Sequence, residues 1–163
     1  GTECYAQLKE LFQEDGIFLE DGRIHRPGMA KVIFSDSGKR DALNDIVHPA
    51  VKKYVIAQAE SERRRQELDF IVLEAALLIE ERYDEVCDEL WYIFTTVEHR
   101  KERLKDSRGY SEEKCQSIID SQLSEDIYRA HCQVVIDNNG GPEDTFAQIR
   151  MALQERGIAP VRR

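Results

Sequence analysis

Phe70-Ile71-Val72-Leu73 is a short, unbroken run of apolar residues that follows a long polar stretch. Two further runs of this kind occur, Leu90-Trp91-Tyr92-Ile93-Phe94 and Val134-Val135-Ile136. Such runs are typical of strands that are buried on both faces of a parallel sheet. Helical spacing marks the stretches between and after them, at 97–104, 112–123 and 146–153. This alternation of strands and helices predicts an α/β fold.

The first third of the chain has a different pattern, because its apolar residues recur at helical spacing. Residues 43–47 predict a helix that bends at His48-Pro49, since a residue before proline avoids helical backbone angles. A second, long helix is predicted from Ala50. We therefore divide the chain into a mainly helical region, 1–67, and an α/β region, 68–163.

Composition excludes several classes of protein. The 163 residues carry 23 Lys and Arg against 32 Asp and Glu, a net charge of −9. This acidity argues against a nucleic-acid partner, which needs a concentrated basic face. No apolar run approaches the roughly 18 residues of a membrane span, so no membrane partner is predicted. The spacing of the four cysteines predicts free thiols in the cytoplasm and no metal site. They are Cys4, Cys87, Cys115 and Cys132.

A segment that carries charged or polar side chains follows each predicted strand, and ligands of open α/β sheets bind at that end of the strands. Glu74–Glu80 follows the first strand, and Asn138-Asn139-Gly140 follows the third. A cationic helix and loop follow the second. Guanidinium groups bind phosphoryl oxygens in pairs, which favours a polyphosphate ligand. A salt-bridged surface helix is the alternative, because acidic residues are interspersed there. The cations are Arg100, Lys101, Arg103, Lys105 and Arg108.

The phosphate-binding pattern G-x-x-x-x-G-K-S/T does not occur in the sequence. Ser37-Gly38-Lys39-Arg40 matches only part of its end, since position 33 is Ile and no buried strand precedes it. We interpret this segment as unrelated to phosphate binding. His48 is open to two interpretations, as a pocket residue or as a cap for helix carbonyls.

Five segments in this order resemble the dephospho-coenzyme A kinase family, over nearly the whole chain. The most specific is Leu43–Val51, which contains the His48-Pro49 pair. The other four are Gly22–Arg26 with Val32-Ile33-Phe34, Glu74–Glu80, Arg103 with Gly109-Tyr110-Ser111 and Gln122, and Val134–Gly140. Each motif is weak by itself, and their common order and spacing carry the resemblance.

The resemblance implies a three-layer parallel sheet of the P-loop kinase type with helical substrate-binding and lid regions. Region 1–67 would bind a coenzyme A-type acceptor, and the lid would lie at about 98–130. The implied reaction is ATP-dependent phosphorylation of the ribose 3′-hydroxyl of dephospho-coenzyme A, the last step of coenzyme A biosynthesis. ATP and dephospho-coenzyme A would be the substrates and Mg²⁺ the cofactor.

Residue roles follow from the same resemblance. Catalytic roles are implied for Arg103, Arg108 and Glu74, although the family usually has Asp in place of Glu74. Nucleotide binding is implied for Asn138, Asn139 and Gly140. No residue is implied as a metal ligand. Substrate-binding roles are implied for His48, Pro49, Leu77, Leu78, Arg100, Gln122 and Arg129.

The family opens with a strand, a phosphate-binding loop, a helix and an acidic segment that have no counterpart in this sequence. Mg²⁺ would be held mainly by the nucleotide and by that segment. Its strand would lie between the runs at Phe70 and Leu90, and its absence would leave a gap of about 10 Å between them. We therefore predict that folding requires the segment. The alternatives are a non-catalytic truncated homologue, a domain that binds a coenzyme A-like ligand, and a related nucleotide kinase.

Overall fold

The computed structural model describes residues 2–158. Two compact units divide the chain, Gly1–Val72 and Leu73–Arg163. The first is helical and the second contains both helices and strands. A mixed α/β fold is therefore confirmed at the level of element types.

Three helices build the first unit: α1 (Glu3–Leu11), α2 (Arg26–Ser35) and α3 (Ser37–Arg65). Capping side chains explain where two of them begin. Thr2 accepts a hydrogen bond from the Tyr5 amide, and Asp36 accepts one from the Lys39 amide. The centre of the unit is a cluster of three buried residues, Leu8, Phe12 and Ile17, against which all three helices place apolar side chains.

Helix α3 runs without a break for 29 residues, with Pro49 inside it. The two separate helices expected on either side of His48-Pro49 are therefore wrong. Proline lacks an amide hydrogen, so its place in the helix removes one backbone hydrogen bond. The helix ends after its polar stretch, where Gln66 adopts a left-handed conformation with φ of 56°.

The segment at Ser37, which matches only the end of the phosphate-loop pattern, has a structural role. It forms the first turn of α3. The Lys39 ammonium lies 2.6 Å from Asp15 Oδ1, in a partly buried ion pair. This lysine therefore stabilises the contact between α3 and the loop after α1.

Two parallel strands form the sheet of the second unit, β1 (Trp91–Phe94) and β2 (Val134–Asp137). Their register pairs Trp91 with Val134 and Phe94 with Asp137. A short 3₁₀ helix, Tyr83–Glu85, precedes β1. The α-helices of this unit are α4 (Val97–Arg108), α5 (Glu112–Asp120), α6 (Glu125–His131) and α7 (Pro142–Glu155).

The predicted strand at Phe70–Leu73 is wrong. Residues 70–73 form no strand, and the side chains of Phe70 and Val72 are 48% and 75% exposed. A strand requires a neighbour for its backbone hydrogen bonds, and no described residue pairs with this segment. An apolar run predicts a buried segment, but it does not show whether a neighbouring strand is present to pair with it.

Burial of both faces of the sheet is also not observed. Ile136 is buried, but Ile93 is 48% exposed and Val135 is 37% exposed, and these two residues point to opposite faces. Both faces therefore retain apolar surface that no described residue covers. Within residues 2–158, no helix is both long and apolar enough to cross a membrane.

Candidate functional site

The carboxyl ends of β1 and β2 lie side by side, because the two strands are parallel and in register. A polar loop follows each strand. Thr95 and Thr96 connect β1 to α4, and residues 138–141 connect β2 to α7. The Asn138 amide donates a hydrogen bond of 2.8 Å to the Phe94 carbonyl, so the pairing continues one residue beyond the ladder. This edge is where α/β sheets bind ligands.

Asn139 connects the two loops. Its side-chain oxygen accepts a hydrogen bond of 2.8 Å from the Thr96 amide and lies 2.9 Å from Nδ1 of His99. Its side-chain nitrogen donates to Asp137 Oδ1 at 2.7 Å. The Asn139 carboxamide is thus fixed at both ends, and it ties the start of α4 to the end of β2.

Asp137 orients the loop that follows it. Its carboxylate accepts hydrogen bonds from both the backbone and the side-chain nitrogen of Asn139. These hydrogen bonds lower the pKa of the Asp137 carboxyl. The backbone of Asp137 is held as well, because Gln148 of α7 accepts from its amide and donates to its carbonyl, each at 2.8 Å.

Asn138 and Gly140 complete the loop. The side-chain oxygen of Asn138 accepts a hydrogen bond of 3.0 Å from the Thr145 hydroxyl. Gly140 is exposed, and the next residue, Gly141, donates its amide to the Asp144 carboxylate at the start of α7. The three residues predicted to bind the nucleotide therefore form one ordered loop at the carboxyl edge of the sheet.

The three arginines of α4 make no ion pair with any described residue. Arg103 donates a hydrogen bond of 2.7 Å to the Asn138 carbonyl, and Arg100 donates one of 2.6 Å to Gln122 Oε1. Arg108, the last residue of the helix, is exposed. No carboxylate of the described residues pairs with these guanidinium groups, so they are available to bind an anion.

The lysines of α4 behave differently. Lys101 and Lys105 lie 2.6 Å and 2.5 Å from the two carboxylate oxygens of Glu112 at the start of α5. Their hydrogen bonds lower the pKa of Glu112 to about 2. The alternative of a salt-bridged surface helix is thus correct for the lysines and wrong for the arginines.

Arg129 of α6 also lies near the end of β1. Its guanidinium carbon is 5.1 Å from the centre of the Phe94 ring, and its Nε is 2.7 Å from Glu125 Oε1. Tyr128 stacks on Tyr92 of β1, with ring centres 4.8 Å apart. Burial raises the pKa of the Tyr92 phenol. The stacked rings fix α6 against the sheet and so place Arg129 at its edge.

Arg100 has a buried polar atom without a partner. Its Nε forms no hydrogen bond within the part of the chain that the structure describes. A buried donor without a partner costs about 1–3 kcal/mol. Gln122 satisfies only one of the other nitrogens of this side chain.

The remaining predicted site residues are not brought to this edge by any described contact. Glu74 and Leu77 are exposed and Leu78 is half-buried, in the segment before the 3₁₀ helix. His48 and Pro49 belong to the first unit, where His48 is half-buried and Pro49 is exposed. Across residues 2–158, no group of three or more acidic, histidine or cysteine side chains is arranged to hold a metal ion.

The sequence analysis missed His99, because it considered His48 alone among the histidines as a site residue. Thr96 was missed as well. A local signal for both exists, because Thr96 caps α4 by accepting from the His99 amide. The contact with Asn139 spans 40 residues and could not be seen in that local pattern.

An arginine outside ion pairs beside the carboxyl ends of parallel strands is typical of α/β proteins that bind anions or nucleotides. A family model described as dephospho-CoA kinase matches residues 1–144. The chain belongs to this family, and the resemblance drawn from its motifs is confirmed.

Curated relatives bear the same name. The dephospho-CoA kinase of Symbiobacterium thermophilum is 35% identical over 152 residues, which cover 93% of this chain and 63% of the relative. That of Geobacter sulfurreducens is 35% identical over 156 residues, which cover 96% of this chain and 78% of the relative. The chain therefore spans less than two thirds of the length of the first of these proteins.

A solved structure supports the fold. The crystal structure of TT1252 from Thermus thermophilus matches with a TM-score of 0.70 and 28% sequence identity. The match covers 92% of this chain and 75% of that protein.

Proposed function

We propose that this chain forms part of an enzyme that transfers the γ-phosphoryl group of ATP to the ribose 3′-hydroxyl of dephospho-coenzyme A. The observation that carries the proposal is Arg103 of α4, which forms no ion pair with a described residue and donates to the Asn138 carbonyl at the carboxyl edge of the sheet. Family membership supplies the acceptor. The relatives that share one name favour this function over a different nucleotide kinase or a non-catalytic domain.

Phosphoryl transfer requires positioning and neutralisation of charge more than covalent chemistry by the protein. Arg103 and Arg108 neutralise the charge that builds up on the transferred group, and Arg100 and Arg129 bind the phosphates of the substrates. Arg103 is already oriented by the Asn138 carbonyl, so little reorganisation is needed when an anion binds. The loop of Asn138, Asn139 and Gly140 borders the adenine.

The other predicted residues have roles in binding the acceptor in this proposal. His48 and Pro49 in the first unit, and Leu77 and Leu78 in the second, contribute to the binding of dephospho-coenzyme A. Glu74 acts near the acceptor hydroxyl. Its exposure leaves its carboxylate accessible to a ligand.

Mg²⁺ prefers several oxygen ligands in octahedral geometry and is bound largely through substrate phosphates in phosphotransferases. The described residues do not offer it a set of ligands of their own. The Asp137 carboxylate is already hydrogen-bonded to Asn139. We therefore assign no step to the ion here. A cytoplasmic location agrees with the four free thiols.

The proposal is tested by incubating the purified full-length protein with ATP and one acceptor at a time. We expect phosphorylation of dephospho-coenzyme A and only background transfer to adenosine, AMP or shikimate. Transfer to a nucleoside in preference to dephospho-coenzyme A would contradict the proposed acceptor. Binding of dephospho-coenzyme A without any transfer would contradict the proposed reaction and favour a binding protein.

A further inference from the structure

The start of α4 is attached to the nucleotide loop by two side chains that lie one helical turn apart. His99 contacts the side chain of Asn139, and Arg103 donates to the carbonyl of Asn138. Positions four residues apart face the same direction on a helix, so both contacts belong to one face of α4. The Thr96 amide adds a third contact, again to Asn139.

The hydrogen bonds around Asn139 determine the protonation of His99. A backbone amide can only donate, so the Asn139 atom that faces Thr96 must be the oxygen. The same oxygen faces Nδ1 of His99 at 2.9 Å, and this nitrogen must therefore carry a hydrogen. The donation from the Asn139 side-chain nitrogen to Asp137 agrees with this orientation. In neutral His99, Nε2 is then the unprotonated nitrogen.

We propose that His99 is a positioning residue for the nucleotide: its Nδ1–H fixes the Asn139 carboxamide and thereby holds the base-binding loop against the start of α4. The inference rests on the proposed function, because it assumes that residues 138–140 border the base. His99 acts through Asn139 and is not a catalytic residue.

Three substitutions of His99 distinguish the effect of its hydrogen bond to Asn139 from the effect of its side-chain size. His99→Asn places an amide nitrogen at the same number of bonds from Cα as Nδ1, whereas His99→Asp places an acceptor there. His99→Ala removes the contact. We expect His99→Ala to raise KM for ATP about three- to tenfold with kcat within about twofold, since a net hydrogen bond contributes about 0.5–1.5 kcal/mol. His131→Ala, at the exposed end of α6, is the matched control and should behave as the unmodified protein.

The comparison of Asn and Asp at position 99 decides between positioning and bulk. We expect His99→Asn to restore KM close to the unmodified value and His99→Asp to raise it at least as much as His99→Ala. Equal KM values for the Asn and Asp variants would overturn the proposal, as would unchanged KM in His99→Ala. The melting temperature, measured on each variant, reports a merely structural role, which would lower it without separating Asn from Asp.

The tautomer gives a readout that does not depend on catalysis. Long-range ¹H–¹⁵N spectra of the full-length protein at pH 8 should show a protonated Nδ1 and an unprotonated Nε2 for His99. The opposite tautomer would overturn the inference even if the protein phosphorylates dephospho-coenzyme A. If no phosphoryl transfer occurs, the proposed function fails. The spectrum, together with ATP affinities of the Asn and Asp variants measured by calorimetry, still tests His99.

Discussion

Arg103 and Arg108 belong to one helix, but their surroundings differ. Arg103 donates to a loop carbonyl, so it has both a structural contact and free nitrogens. The side chain of Arg108 makes no hydrogen bond or ion pair with residues 2–158, and the next residue, Gly109, adopts a left-handed conformation with φ of 64°. Removing each side chain should therefore have different consequences.

Arg108→Ala should lower kcat about a hundredfold or more, because an arginine that stabilises the charge of a transferred phosphoryl group contributes a large factor to the rate. The melting temperature should remain unchanged. Arg103→Ala should lower kcat and also raise KM for ATP, because the Asn138 carbonyl loses its partner. Steady-state kinetics and thermal unfolding measure both. The exposed Arg150 of α7 supplies the control, Arg150→Ala. An Arg108→Ala enzyme with full kcat would exclude this residue from phosphoryl transfer.

At the scale of single residues, the sequence predicted which residues would belong to the site better than it predicted which residues contact one another. It predicted that the arginines of α4 and the loop of Asn138 would lie at the carboxyl ends of strands. A described contact joins Arg103 to this loop, whereas none joins Arg108 to it. It did not predict which of the cations of α4 form ion pairs, since both arginines and lysines alternate with acidic residues. That distinction depends on Glu112, which lies in a different helix.

Helix α4 presents three faces with separate roles. His99 and Arg103 contact the nucleotide loop, Arg100 contacts Gln122, and Lys101 and Lys105 bind Glu112 of α5. The helix has almost no apolar side chains, so these polar contacts position it. The contact with α5 can therefore be altered independently of the contact with the loop.

The contact between α4 and α5 should depend on pH. Lys101 and Lys105 lower the pKa of Glu112 from 4.5 to about 2 in the folded protein. A carboxyl with a lowered folded pKa stabilises the fold above its unfolded pKa, and this contribution is lost as the pH falls from about 4.5 to about 2. NMR titration of the Glu112 carboxyl should show ionisation down to the low end of this range. Glu112→Gln should remove the dependence, whereas Glu102→Gln, at an exposed site on α4, should not. A Glu112 midpoint near 4.5 would contradict the contact.

The strands show why some elements were predictable and one was not. The runs at Leu90 and Val134 became β1 and β2, because each provides the other with a ladder of hydrogen bonds. The run at Phe70 has the same composition but no strand partner among the residues that the structure describes. Apolar composition predicts burial locally, whereas strand formation depends on a neighbour that is distant in sequence.

For the molecule as a whole, the sheet is the least complete part of the fold. It has two strands, and a sheet of two strands is marginally stable by itself. One edge of β1 has no hydrogen-bonded neighbour within residues 2–158, and Ile93 on this strand is 48% exposed. An open edge with apolar side chains is a site for pairing with a further strand.

Residues 1–163 expressed alone should consequently unfold without a sharp transition and bind a dye such as ANS, because the open edge and both faces of the sheet keep apolar surface exposed. Calorimetry, dye fluorescence and analytical ultracentrifugation measure these properties. Ile93→Lys, at the exposed site on β1, should reduce dye binding and self-association, since charge on an edge strand opposes pairing. Ile136→Lys at the buried site on β2 should increase the exposure instead. A monomer of residues 1–163 that unfolds cooperatively and binds no dye would show that the two strands suffice, and the requirement for a further strand would be wrong.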